Sequence, residues 1–447
     1  MCANLCDAAS AILKISAIEY FEWNENMKLT DHESAMLAGE EGPARKYAME
    51  QVVNVGQFFD AEDCVEIAQV HLMADPESLG DECVSFLEGL AELPEEERLV
   101  RAPTITDPRG VDLQAYKRLK QTEEQANLER RSIAAFRALG VMMTDTCINY
   151  QTIMPPVLGE HLAFGDTGSS IYANSVMGAR TNFEGGPSAL AAALTGRTPR
   201  YGFHLDEVRK GGTHFEVDHR PADLSEWGAL GAVVGRQMQS YWEVPVISGI
   251  DSPPTSDELK HFGAALASFG STPLFHMTGI TPEAPDLQTV FDGPAASVPV
   301  ATSLTRAEVT ALRDSYWPAD DRLDVVVFAA PQLSLMEMRT LAGLLKGRRV
   351  NDAVTLIATT SPEIKSASDR MGLTELIEAS GGIVLEGVCF YQMYAREIGE
   401  ANGWKRLMSN SAKIVNILGG YGYEPMLASM TQCVDSAVAG RIIGSAL

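Results

Sequence analysis

From residue 323 to residue 388 the chain alternates between two patterns, and that rhythm narrows its possible folds more than any other feature. Short apolar runs at 323–330, 354–358 and 382–388 are separated by stretches of helical spacing at 334–346 and 362–380. Buried strands joined through helices run parallel, with right-handed crossovers. The pattern therefore predicts a doubly wound α/β unit, in which ligands collect at the carboxyl ends of strands. Upstream, the apolar runs Ile67–Leu72, Leu99–Ile105 and Val244–Ile250 read as further buried strands. Thr30-x-x-Glu33, Thr255-x-x-Glu258 and Thr305-x-x-Glu308 each read as a capping box opening a helix.

Charge and hydropathy exclude some partners. With 35 basic and 60 acidic residues the net charge is −25, which argues against nucleic acid or an anionic membrane as the main partner. No apolar run approaches the ~18 residues of a membrane span. The first residues lack a basic n-region, and Lys14 and Glu19 break their apolar part, so they make a poor secretory signal. Residues 1–27 read as an extension before the helix start at Lys28-Leu29-Thr30-Asp31.

Seven cysteines without a C-x-x-C pair suit a reducing, cytoplasmic setting better than a disulfide framework. Cys2 and Cys6 lie in the extension, and Cys64 and Cys83 sit in apolar, helix-like surroundings where a buried thiol is the ordinary reading. Cys147, Cys389 and Cys433 remain. Cys389 follows an expected strand (GGIVLEGVCFY), and so does Cys147 (GVMMTDTCINY). Three converging thiolates can hold an iron–sulfur cluster, of the 2Fe-2S or 4Fe-4S type, with one iron open as a Lewis acid. Spacings of 242 and 44 residues are not diagnostic, and inert buried thiols are the competing reading.

Residues 150–250 are Gly-rich and polar, with interleaved aromatics, the texture of long functional loops. Arg180, Arg197, Arg200 and Arg209 offer planar donors for carboxylates, or ordinary ion pairs. Thr104-Ile105-Thr106-Asp107-Pro108-Arg109-Gly110 places Asp107, Pro108 and Arg109 after a strand, as a substrate rim or a capped turn. His71 ends the strand QVHL and is kept with the substrate-binding candidates, although a satisfied core histidine is the ordinary reading. Lys413, in SNSAKI, could pair with a substrate carboxylate or assist a leaving hydroxide, or simply be solvated. The remaining histidines show no zinc spacing, and no nucleotide-loop or serine-hydrolase motif occurs.

MLAGEEGPARKYAMEQVV, TCINYQ, YANSVMGARTNFEGGPSALAAALTGRTPRYGFHL, SNSAKI and QCVDSAVAG occur in that order from about Leu29 to the C-terminus. In this order they resemble the catalytic region of the aconitase X family. The resemblance implies an aconitase-like fold, several doubly wound α/β subdomains around a central cleft, with approximate divisions at 28–215, 216–320 and 321–447. It implies an iron–sulfur dehydratase acting on a small hydroxy acid, with cluster ligands at Cys147 and Cys389, a functional lysine at Lys413 and substrate contacts at Asp166 and Thr167. The Asn-Pro turn of the family falls on Asp107-Pro108. Where an archaeal branch has Cys-Pro-His, this chain has Ala330-Pro331-Gln332, which leaves Cys433 as the remaining candidate for a third ligand.

The family also uses a small swivelling domain with a catalytic serine. Nothing here matches it, so the resemblance implies a separate small subunit. The wording DPRG and TCINYQ points to the cis-3-hydroxy-L-proline branch, with Δ1-pyrroline-2-carboxylate as product. Dehydration of another hydroxy acid, such as 5-phosphomevalonate, and a cluster-less binding protein are the alternatives.

Overall fold

The computed structural model describes residues 27–238 and 240–444. Three parallel sheets organise them, and each sheet with its packed helices forms one unit, numbered in chain order. The first orders its strands Thr104–Thr106, Gln69–Leu72, Leu162–Phe164. The second runs His276–Met277, Pro245–Ser248, Thr213–Val217, Thr302–Leu304. The third has five strands: Ile383–Glu386, Thr355–Thr360, Val325–Leu333, Arg406–Ser409, Glu424–Leu427. A small antiparallel pair, Cys64–Glu66 with Arg197–Pro199, stands apart.

The α/β reading and the three capping boxes are observed: Thr30, Thr255 and Thr305 each close one with Glu33, Glu258 and Glu308. Burial explains the long strand Val325–Leu333, whose nine residues are all buried between helices. Some expectations shift. The run 362–380 is two helices, Pro362–Arg370 and Leu373–Ala379, divided at Gly372, whose φ of 69° cannot continue a helix. Of Leu99–Ile105 only the end is strand, Thr104–Thr106. The loop-like middle contains the helices Thr167–Tyr172 and Gly186–Thr195. Cys64 is on a strand and Cys83 is exposed, so neither is the buried helical thiol expected. The expectation for residues 1–27 lies outside the described residues apart from Met27, which packs on the first core.

In the second unit, helices Leu224–Gln237 and Ser256–Gly270 pack backbone to backbone. A Cβ at Gly231 would lie 2.2 Å from the Phe262 carbonyl oxygen, so only glycine permits that approach. This helix pair carries Lys260 and His261 inward, against the third sheet.

The third sheet determines where the chemistry collects. Its chain order runs from Val325–Leu333 outward to one edge, then returns at Arg406–Ser409 and continues to the other. The crevice between those two central strands is a topological switch point. Ala330 and Gln332 line one side of it and Ser411 and Lys413 the other, and the Ser411 hydroxyl donates to the Ala330 carbonyl at 2.6 Å.

Candidate active site

The carboxyl ends of the first and third sheets meet. From the first sheet come His71, Asp107 after Thr104–Thr106, and Asp166 after Leu162–Phe164. From the third come Gln332, Cys389 and Lys413. Cys147 does not follow a regular strand as expected. Met142 bridges Ile105 in parallel, and the Thr146 amide donates to the Thr106 carbonyl at 3.0 Å, so the irregular segment 142–147 runs beside that strand.

At the centre is a buried ion pair. Lys413 Nζ lies 3.1 Å from Asp166 Oδ1, 3.3 Å from Thr167 Oγ1 and 5.8 Å from the Tyr391 ring centroid. Asp166 also accepts from the Ser169 amide at 2.7 Å, which caps the helix Thr167–Tyr172. Burial disfavours both charges, but each supports the other: Lys413 and the Ser169 amide hold the Asp166 carboxyl below its usual range, and Asp166 holds the Lys413 ammonium above its own.

Asp107 behaves oppositely. Burial and the Asp166 charge push its carboxyl well above the usual range. Its Oδ2 accepts from Gln392 Nε2 at 2.8 Å, and its Oδ1 has no hydrogen-bond partner. Pro108 beside it is buried. His71 Nε2 is 2.7 Å from the Thr146 carbonyl, an acceptor only, so Nε2 carries the hydrogen and Nδ1 has an unpartnered lone pair. Burial lowers the His71 pKa and favours the neutral ring. Unpartnered buried polar atoms gathered beside an ion pair mark a place built for a polar ligand.

Cys147 and Cys389 are neighbours, joined through Gln332, which bonds the Cys147 amide and the Val388 carbonyl, and the presence of Cys389 together with burial pushes the Cys147 thiol up. Cys433 does not join them. It is fully buried on helix Met430–Ala439 in a separate core with Met426, Val434 and Ala437, its thiol 3.8 Å from the Ala428 carbonyl. The C-terminal helix turns that side chain into the core of the third unit, so the structure does not bring the expected third ligand together with the other two thiols.

Arg109 is also turned away from this group. Its guanidinium pairs with Asp145 at 2.8 Å and reaches the Val111 and Glu386 carbonyls, so its donors are committed to joining the first and third units. It lines a separate cleft of about 570 Å³ with Asp112, Arg130 and Arg137. Arg180, Arg197, Arg200 and Arg209 are all in ion pairs, with Asp206, Glu33, Asp63 and Glu283. Sequence reasoning missed Gln392, which bridges Asp75 and Asp107, and Tyr391, the ring under Lys413. No motif marks either.

Glu129 supports the Asp107 turn from behind. One carboxylate oxygen accepts the Gly110 and Val111 amides, each at 3.0 Å, and burial lifts its pKa to about 8. A carboxyl raised from an ordinary 4.5 keeps its proton in the folded state while the unfolded chain loses it. Stability is therefore lost progressively as pH rises from about 4.5 to about 8. Glu129→Gln keeps an acceptor and removes this penalty. It is expected to be more stable than the parent by roughly 2–4 kcal/mol at pH 8, with the gain vanishing toward pH 4.5, in denaturant titrations across that range.

Comparison with known proteins matches this arrangement to one family. Residues 26–207 match the aconitase X first domain, 211–314 the second and 323–439 the third. The chain belongs to the aconitase X family. Among its relatives, the phosphomevalonate dehydratase large subunit of Methanothermobacter thermautotrophicus is 34% identical, over 87% of this chain and 93% of that one. The cis-3-hydroxy-L-proline dehydratase of Pseudomonas aeruginosa is 32% identical, over 93% of this chain and 70% of that one. The crystal structure of Thermococcus kodakaraensis aconitase X, a holo-form, superposes with a TM-score of 0.79 at 29% identity, over 92% of this chain and all of that one. The enzyme is a hydro-lyase, and the large-subunit relatives imply a small-subunit partner.

For an aconitase X enzyme the resemblance implied an iron–sulfur cluster on three cysteines. Two thiols converge here, flanked by the unpartnered Oδ1 of Asp107 and Nδ1 of His71. Among the described residues no group of three or more His, Cys, Asp or Glu side chains is arranged as a metal site. Ala330 and the hydrogen-bonded amide of Gln332 occupy the crevice beside Cys147. The donor set fits a group anchored by two thiolates and does not fit one anchored by three. No helix among the described residues is long and apolar enough to cross a membrane.

Proposed function

We propose that this chain is the large subunit of a dehydratase converting cis-3-hydroxy-L-proline to Δ1-pyrroline-2-carboxylate. The observation that carries the choice of substrate is the charge inventory of the site. The cation bearing on His71, Asp107 and Asp166 is Lys413, itself paired with Asp166, while Arg109 is committed elsewhere. One ammonium suits one small carboxylate. A phosphorylated hydroxy acid would call for a cluster of cations around its second anionic group.

In this reading Lys413 and Thr167 orient the substrate carboxylate, and Lys413 offsets the negative charge that builds when the adjacent carbon loses its proton. Asp107, kept protonated, offers Oδ1 as a hydrogen-bond donor toward the departing hydroxyl. His71, as a neutral ring, presents Nδ1 as an acceptor to the ring nitrogen of the substrate. Asp166 positions Lys413. The proton is removed by a serine from the small subunit. Loss of the proton and of hydroxide leaves an enamine, which tautomerises to the cyclic imine. When bound, an iron–sulfur group anchored by Cys147 and Cys389 supplies a Lewis acid for the leaving hydroxyl.

A second reading, dehydration of 5-phosphomevalonate, is supported by relatives bearing that name at 34% and 30% identity. The test is turnover of the two substrates by the heterodimer, reconstituted anaerobically with iron and sulfide. Cis-3-hydroxy-L-proline is expected to be consumed at least about a hundredfold faster, judged by kcat/KM, and the reverse preference would overturn the proposal.

A further inference from the structure

Gln332 sits where the carboxyl end of the strand Val325–Leu333 enters the crevice, and it is completely buried. Its side-chain Oε1 accepts from the Cys147 amide at 3.3 Å. Nε2 lies 3.1 Å from the Asp145 carbonyl, 3.2 Å from the Val388 carbonyl and 3.4 Å from the Thr360 carbonyl. Its own backbone amide donates to Cys147 Sγ at 3.4 Å. One residue thus holds the peptide of Cys147, the sulfur of Cys147, and the carbonyl immediately before Cys389.

We infer that Gln332 is a positioning residue that fixes the Cys147–Cys389 thiol pair, by joining the two segments that carry these cysteines. The need follows from the fold. Cys147 ends an irregular segment beside the first sheet, and Cys389 lies three residues beyond a strand of the third. Neither cysteine is within a regular element that would determine its position, and they belong to different units. A carboxamide suits this task because it donates and accepts at once, and here it meets carbonyls on one side and an amide on the other. A carboxylate of the same shape would face three carbonyl oxygens without a proton to offer them.

Gln332 is itself held from behind. Lys260 Nζ, fully buried on helix Ser256–Gly270, donates to the Gln332 carbonyl at 3.1 Å. Lys260 is held in turn by Glu337, and Glu337 accepts from His261 Nε2 at 2.8 Å. The buried cluster Lys260–His261–Glu337 thereby connects the second unit to the strand end that positions the thiols. This inference builds on the site proposed above, but its test needs no substrate and no turnover.

The test is site-resolved alkylation of the full chain by iodoacetamide under native conditions after iron chelation, with each cysteine followed by peptide mass spectrometry. Cys433, fully buried in the core of the third unit, is the internal reference for general opening. Gln332→Ala and the isosteric Gln332→Glu are each expected to raise the rates at Cys147 and Cys389, relative to Cys433, by about tenfold or more, as loss of one or two buried hydrogen bonds would. Unchanged rates at both thiols would overturn the inference. So would a parallel acceleration of Cys433, which would make Gln332 a contributor to overall stability only. Should the alanine variant fail to fold, the same criteria apply to Gln332→Glu alone.

Discussion

Cys147→Ser and Cys389→Ser, made separately in the heterodimer, are each expected to reduce dehydratase turnover by at least about a thousandfold, while Cys433→Ala keeps it within about twofold. The three thiols are all buried, so burial does not distinguish them. Location does. Cys147 and Cys389 are joined through Gln332 where two sheets meet, in the same buried group as the Lys413–Asp166 pair. Cys433 is surrounded by Met426, Val434 and Ala437 and acts as a small apolar side chain. Removing its sulfur leaves a small cavity costing about 1–2 kcal/mol, visible as a lower melting temperature with activity preserved. Iron content per chain, measured beside turnover, should fall in the first two variants and hold in the third. If Cys433→Ala loses iron and activity together, the assignment of the thiol pair is wrong.

Lys413→Met is expected to have the next largest effect, on two separable quantities. Stability should fall by roughly 3–5 kcal/mol, because Asp166 would remain buried beside Asp107 with its countercharge removed. Turnover should fall by about a hundredfold or more, because the ammonium proposed to meet the substrate carboxylate is gone. The double variant Lys413→Met with Asp166→Asn separates the two effects. It removes both charges, so the melting temperature should recover most of the loss, while kcat remains at the single-variant level. Asp166 is depressed and Lys413 raised, so the stability from the pair is fully present between their ordinary values of 3.8 and 10.5. It is lost as pH falls through the folded value of Asp166 or rises through that of Lys413. The difference in stability between parent and double variant should therefore be flat across neutral pH. Recovery of turnover in the double variant would show that Lys413 acts only on the fold.

The other buried cluster, Lys260 with Glu337 and His261, shows why a buried charge does not by itself identify a site. Its lysine and carboxylate neutralise each other, and Glu337 closes the capping box of helix Leu335–Leu345 with Ser334. Every charged atom there has a partner. Around Asp107 and His71, by contrast, one oxygen and one nitrogen do not. That contrast between satisfied and unsatisfied polar atoms separates the structural cluster from the candidate site.

Elements with a strong local signal were legible from the residues alone. The strand–helix rhythm after residue 323 and the capping boxes at Thr30, Thr255 and Thr305 are set by neighbours three or four positions apart, and they appear in the fold. His71, Asp107, Asp166 and Lys413 could be nominated because each lies just beyond a strand or within a segment resembling the family. Their convergence could not be read, since it depends on two sheets meeting at their carboxyl ends. The same limit explains two candidates that the structure turns away from the group. Cys433 and Arg109 have the residue types and sequence settings of site residues, yet one side chain points into a core and the other is taken up by Asp145. Only the packing of helix Met430–Ala439, and the closure of the first unit on the third, decides those directions. The sequence alone therefore determined the α/β class, the family and the candidate residue types, because these rest on local periodicity and ordered motifs. The tertiary structure alone decided that two thiols and not three converge, and that Gln332 occupies the space beside them, because side-chain direction depends on contacts between segments 185 and 247 residues apart.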